Sequence, residues 1–422
     1  MRPNWMTHSL TVCFLTFLSL FQPHSAAEAR EAERTPTLSR GTQETLERLG
    51  YTHAPAPVYR MGQQKVAFNE AVEYLTTGDG VKLAIHRVAA PTVLYPTPIL
   101  LFHGICSNYA TWDLNEVQSV QRYLAGLGFD TWAIDWRGAG LSERPAKGRY
   151  FNWRYSIDDL IHYDAVAALN HVLSRTGKAR VIIAGHSMGG LITHALLGSE
   201  PVSDKVAGIV TLSGATLMGT DGSSENPPTQ ALMSLIGLVS PFVVDDAVVP
   251  AEEITRLAMS GYSRLLERLV RWAGVWLWNP RNVNVELIEQ MATKAVGNTN
   301  TTILQQFTIF AHKYDTTSFA GWTGMADASD YFLENGFVSY VERLSSIKVP
   351  ALVISGAADK IVGAHNVQQV YSKLGSSDKT YVELGTDAGF SFDYGHVDMV
   401  MGIKAPEEVY PVLGAWMKSR SK

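Results

Sequence analysis

From residue 71 the chain reads "AVEYLTTGDGVKLAIHRVAA", two runs that alternate apolar and polar positions around Gly78-Asp79-Gly80. Alternation with a period of two, interrupted by a turn triplet, predicts a β-hairpin. Beyond it the pattern changes. "PILLFHG" (98–104), "FDTWAID" (129–135), "ARVIIAG" (179–185), "VAGIVTLSG" (206–214) and "VPALVISG" (349–356) are short continuous apolar runs, as expected of strands covered on both faces. Between them lie segments such as "SIDDLIHYDAVAALNHVLSRTG" (156–177), with apolar residues recurring at three and four, which predicts a helix. Strands alternating with helices imply βαβ crossovers and a mostly parallel sheet flanked by helices.

One interval breaks this rhythm. Residues 217–345 include "ALMSLIGLVSPFVV" and "YSRLLERLVRWAGVWLWNP", with Trp272, Trp276 and Trp278 close together. A span so long and so apolar is not a loop, and the pattern predicts a mainly helical cap inserted before the strand that leads to Asp359. The expected organisation is therefore a first core segment at 30–216, a cap or lid at 217–345 and a second core segment at 346–422.

The N-terminus is read apart from the fold. "LTVCFLTFLSLF", Leu10 to Phe21, follows a single basic residue and precedes the small residues of "HSAAEA". That order reads as a signal peptide over residues 1–29 and a secreted or periplasmic destination, with an uncleaved membrane anchor as the alternative. Of the two cysteines, Cys13 lies in that segment and Cys106 remains alone, so no internal disulfide is expected. A net charge of −5 with no basic run argues against a nucleic-acid partner. No Cys/His cluster has zinc-ligand spacing, there is no H-E-x-x-H, and Gly138 and Gly140 do not form a dinucleotide fingerprint. Neither a metal nor another cofactor is expected. Nothing in the sequence assigns an oligomeric state.

Candidate chemistry centres on "GHSMGG". Ser187 stands between Gly185 and Gly189, after a strand and before the helical pattern "MGGLITHALLGS". Small flanking residues permit a strained strand-to-helix turn that exposes the hydroxyl, and the helix N-terminus offers free N–H groups and a positive dipole end. A hydroxyl needs a base, and the expected order is serine, acid, histidine. Asp359 follows the strand "VPALVISG", and His396 follows "TYVELG" on a late loop. Asp393 and Asp398 are too near His396 in sequence to reach its far ring nitrogen readily. Asp221 is the more serious rival. An oxyanion needs N–H donors, and the backbone N–H groups of Met188 and of Ile105, in "HGICSN", are the candidates. His103 and Gly104 are expected to shape that loop, Cys106 to be a buried bystander, and Asp135 and Arg137 to brace the turn "DWRGAGLSERP". Asn300-Thr301-Thr302 is a glycosylation sequon in form.

In combination, the "HG" loop, the "DWRGAGLS" turn, the "GHSMGG" elbow and the late Asp359 and His396 resemble the α/β-hydrolase superfamily. "EYLTTGDGVKLAIHR", "FNWRYSIDDLIHYDAVAALNHVLSRTGKARVIIAGHS" and "GHVDMVMGIKAPEEVYPVL" are similar to its acid-lipase branch. The resemblance implies a triad of Ser187, Asp359 and His396, oxyanion donors at Ile105 and Met188, and cleavage of neutral lipid esters. The expectation is thus a serine hydrolase of carboxylic, lipid-like esters working through an acyl-enzyme, with transient lipid contact through the cap. An acyltransferase or polyester depolymerase using the same triad, and a non-catalytic binding protein of the same fold, are the alternatives.

Overall fold

The computed structural model describes residues 38–55, 67–144, 153, 155–214, 216–217, 248–249, 251–252, 255, 277–312 and 340–421. The expected signal peptide, Asp221, Trp272, Trp276 and most of the expected cap lie outside the described residues. An eight-stranded sheet forms the centre. Its strands are β1 (Asn69–Thr76), β2 (Lys82–Ala89), β3 (Ile99–Phe102), β4 (Asp130–Ile134), β5 (Val181–His186), β6 (Val206–Leu212), β9 (Ala351–Gly356) and β10 (Lys379–Leu384). They lie in the order β1-β2-β4-β3-β5-β6-β9-β10. A separate two-stranded pair joins β7 (Val248–Val249) to β8 (Thr299–Asn300).

The first two strands form the expected hairpin, with Thr76 opposite Lys82 and Gly80 at φ +93° in the turn. β2 runs antiparallel to β4, and from β4 to β10 every pairing is parallel. The continuous apolar character of β5 has a simple origin. Val181 and Ile183 join one core cluster with Leu191 and Ile192, whereas Ile182 and Ala184 join the other with Leu124 and Trp416. Successive side chains point to opposite faces, and helices cover both.

The helical pattern at 156–177 is interrupted. An α-helical turn, Ile157–Asp159, passes into a π-helical stretch, Leu160–Ala165, before the α-helix Val166–Thr176. The irregular stretch carries Asp164, which receives the Arg137 guanidinium at 2.7 and 2.9 Å. Described parts of 217–345 are also part of the body of the protein. Val283, Leu287, Met291 and Ala295 pack with Ile99 and Leu101, while Ile303 and Phe307 pack in the opposite cluster. Among the described residues no helix is long and apolar enough to cross a membrane.

Candidate active site

Ser187 links β5 to the helix Met188–Ser199, with φ +56° and ψ −120°. A non-glycine residue in this region is strained by on the order of 1–3 kcal/mol and is held there by its surroundings. Those surroundings are tight. A Cβ on Gly185 would collide with the Gly189 carbonyl, and one on Gly189 would collide with the Phe102 carbonyl. The two glycines of the elbow are therefore required by close approach of β5, its helix and β3. The Ser187 N–H donates to the Leu212 carbonyl at 3.0 Å, and the Ser187 carbonyl accepts the N–H groups of Gly190 and Leu191.

Asp359 and His396 come from the ends of two neighbouring strands, β9 and β10. Their parallel pairing places both following loops at the edge where β5 ends. His396 Nε2 lies 2.8 Å from Ser187 Oγ, and His396 Nδ1 lies 2.8 Å from Asp359 Oδ2. Nδ1 facing a carboxylate carries the proton, which leaves Nε2 free to accept from the hydroxyl. The three residues are each only 5% exposed, so these hydrogen bonds operate in a medium of low dielectric. Asp359 Oδ1 accepts two further N–H groups, from Ile361 at 2.8 Å and Val362 at 2.9 Å. Burial by itself would raise this carboxyl, but the facing His396 and the N–H donors hold it below the ordinary aspartate value.

The histidine loop is anchored on several sides. Gly395 N–H donates to Asp398 Oδ1 at 2.9 Å, and Val397 N–H donates to the Leu277 carbonyl at 2.8 Å. Tyr394 OH donates to the buried Glu408 at 2.6 Å. Asp398 also accepts from Asn279 N–H at 3.2 Å and from Asn282 Nδ2 at 2.9 Å. It is a clamp on the loop, and its carboxyl is pushed up to about 6 by burial, against the pull of these donors. Asp393 instead accepts from the Thr386 backbone and hydroxyl, both at 2.7 Å. Neither touches His396 Nδ1, which Asp359 occupies.

The loop after β3 lies against the serine. A methyl group on Gly104 would stand 3.1 Å from Ser187 Cβ, and Ile105 is the next residue of that loop. Met188 is the first helical residue, and its N–H belongs to the turn that has no partner within the helix. His103 shapes the loop from behind. Its Nδ1 donates to the Gly104 carbonyl at 2.8 Å and its Nε2 accepts from Trp136 N–H at 3.2 Å. Burial pushes its pKa down to about 4, so it stays neutral. Asn108 holds the far side, where Nδ2 donates to the Lys294 and Val296 carbonyls at 2.8 and 3.1 Å. Cys106 is half-buried, has φ +52°, and has a thiol pushed up to about 12 by burial, the reverse of an activated thiolate.

Asp135 and Arg137 do not pair with each other. Asp135 faces His86 at 2.9 Å and accepts the N–H groups of Tyr109 and Leu141, both at 2.8 Å. Arg137 instead bridges Asp79 and Asp164. Asn300 of the sequon is fully buried, donates to the Trp153 carbonyl at 2.6 Å and accepts from Thr302 N–H at 2.9 Å. Its amide is closed to a glycosylating enzyme in the folded protein. Among the described residues no group of three His, Cys, Asp or Glu side chains could hold a metal ion.

Sequence reasoning passed over two residues that shape the site, His186 and Asn108. His186 Nε2 lies 2.8 Å from the His396 carbonyl, and the two imidazoles are 4.9 Å apart between centroids. Asn108 also caps the short helix Tyr109–Thr111, its Oδ1 accepting from Ala110 N–H at 2.9 Å, but the contacts by which both residues shape the site reach partners roughly two hundred residues away in the chain.

The sheet, the elbow after its central strand and the two late loops define a class, and the sequence places the chain within it. Residues 97–394 match the family described as "alpha/beta hydrolase fold", and the chain belongs to that family. Among similar proteins, human "Lipase member K" is 22% identical over 355 residues, covering 80% of this chain and 84% of the relative. Human "Lysosomal acid lipase/cholesteryl ester hydrolase" is 21% identical, covering 80% and 85%. "Triacylglycerol lipase 2" of Arabidopsis thaliana is 34% identical over a shorter stretch, 28% of each chain. In fold, the chain is similar to a thermophilic esterase from Thermogutta terrifontis, with a TM-score of 0.50 and 18% identity, covering 83% of this chain and 100% of that one.

Proposed function

We propose that the protein is a serine hydrolase that cleaves carboxylic esters of hydrophobic, lipid-like substrates through an acyl-enzyme on Ser187. The observation that carries this reading is the unbroken chain of hydrogen bonds from Ser187 Oγ through His396 to Asp359 Oδ2. His396 Nε2 takes the hydroxyl proton as Oγ attacks the ester carbonyl. Asp359 holds the imidazole in the required tautomer and offsets its positive charge. The N–H groups of Ile105 and Met188 receive the developing oxyanion. Collapse of the tetrahedral species expels the alcohol, which takes the proton from His396, and water repeats the sequence to release the acid. No cofactor enters these steps.

The substrate class is supported by the names of the relatives, several of which are lipases. Placement of the described parts of 217–345 agrees with a substrate-covering role. Leu277 is bonded to the histidine loop, and Gly297 N–H donates to the Cys106 carbonyl at 3.0 Å beside Ile105. The interval thus touches the site from two sides, as an inserted cap over an acyl pocket would. The test is Ser187→Ala assayed on p-nitrophenyl esters of short and long acyl chains. A folded variant should lose at least about ten-thousandfold in kcat, and the unaltered enzyme should favour longer chains. Undiminished turnover by Ser187→Ala would end the reading of the site, and a preference for acetate would end the lipid-like assignment.

A further inference from the structure

His186, the residue just before Ser187, closes β5 and is buried. Its Nε2 faces the backbone carbonyl of His396 at 2.8 Å. A carbonyl only accepts, so this nitrogen carries the proton and donates. Burial, and then the neighbouring His396 imidazole, push the His186 pKa down to about 3, which keeps the ring neutral beside a base that must become cationic. His186 therefore adds no like charge to the imidazolium.

Two consecutive residues of the elbow thus grip one residue of the late loop. Ser187 Oγ meets the His396 ring at 2.8 Å, and the His186 ring meets the His396 backbone at the same distance. Asp359 contacts only the ring of His396, and the other anchors of the loop act on Tyr394, Gly395 and Val397. Among these contacts, only His186 reaches the His396 peptide from the strand that carries the nucleophile. Separation of hydroxyl and base is then set across a short closed loop of bonds, not through the long path from β5 by way of β9 and β10.

We propose that His186 is a positioning residue: its Nε2–H fixes the His396 carbonyl and so holds the base in register with the Ser187 hydroxyl. This rests on the assignment of Ser187 and His396 as nucleophile and base. Misplacement of a catalytic group by about 1 Å costs on the order of a hundredfold in rate, so loss of the donor should reduce turnover without weakening substrate binding.

The experiment compares His186→Gln with His186→Met, side chains of similar length of which only the first has an N–H donor. Both are assayed on a p-nitrophenyl ester, with active sites counted by a fluorophosphonate titrant. The expected result is that Met lowers kcat per titrated site by about ten- to a hundredfold at similar KM, while Gln stays within about threefold of the unaltered enzyme. A residue that merely fills space would change the melting temperature and the titratable fraction but not kcat per site. Equal kcat per site for Gln and Met overturns the inference. His186→Phe supplies a second donor-free variant of ring shape if Met fails to fold, and wild-type kcat per site in it has the same consequence. Ser187→Ala is run alongside: its retained turnover removes the underlying assignment, whereas its inactivity with equal Gln and Met variants removes the role of His186 alone.

Discussion

Asp359 shows how much a single atom can decide. Both carboxylate oxygens are engaged, one by His396 Nδ1–H and the other by the Ile361 and Val362 N–H groups. In Asp359→Asn the remaining oxygen can still serve the two backbone donors, but the amide nitrogen then faces Nδ1. Two donors cannot share that contact, so the imidazole must move its proton to Nε2, where it can no longer accept from Ser187. A loss of about ten-thousandfold in kcat is expected, with a melting temperature near that of the parent; a variant with more than a tenth of parental kcat would contradict it. The same carboxyl is held below its ordinary value in the fold. Its stabilisation is therefore complete above the unfolded pKa of about 4 and is lost as pH falls through the lower folded value. Ser187 stands out in the sequence because its signal is local, a hydroxyl between glycines at a strand end. His186 sits in the same pentapeptide yet had no legible role, because its partner lies on a loop reached only through folding.

At the scale of elements, the late loop and the segment at 277–282 are fastened by one buried carboxylate, Asp398. Sequence reasoning weighed Asp398 only as a rival acid for His396. Its carboxyl titrates near 6 in the fold and near 4 in the unfolded chain. Between those values the folded state keeps the proton that the unfolded state releases. The contribution of Asp398 to stability thus falls as pH rises from about 4 to about 6, by roughly 1.4 kcal/mol per unit, and is flat above. Asp398→Asn cannot titrate. Denaturant unfolding across this window should show the stability of the unaltered protein, relative to the variant, declining with that slope; a constant difference would refute the buried-acid account. The π-helical interruption at 160–165 was equally hidden. An apolar repeat at three and four does not distinguish one extra residue in a turn, whereas the burial of Asp164 against Arg137 does.

For the whole molecule, the two ends of the described chain meet. The helix Arg40–Arg48 rests beside the C-terminal region, with Gly41 N–H donating to the Gly389 carbonyl at 2.8 Å and Thr42 Oγ1 to the Glu408 carbonyl at 3.3 Å. Leu46 of this helix is 1% exposed. Leu46→Ala should cost about 2–5 kcal/mol, read as a lowered midpoint in denaturant, with kcat per titrated site unaltered because the helix bonds to Gly389 and Glu408 and not to Ser187, Asp359 or His396. A normal midpoint would mean that this helix contributes little to the fold. The hairpin, the parallel strands and their alternation with helices were all legible beforehand, since a strand buried on both faces must be apolar throughout. Packing of 283–307 into the body was not, because apolar residues read the same whether they line a cap or a core.

Local pattern was sufficient to establish the sheet and to single out Ser187, Asp359 and His396 as candidates beyond strand ends, since each signal depends on neighbours within a few residues and on backbone sterics. Which carboxylate reaches the imidazole, which amides and side chains brace the loops, and how Asp135 and Arg137 divide their partners were settled when distant segments packed together. Those choices depend on ångström-scale distances between residues far apart in the chain, and no periodicity along the sequence encodes them.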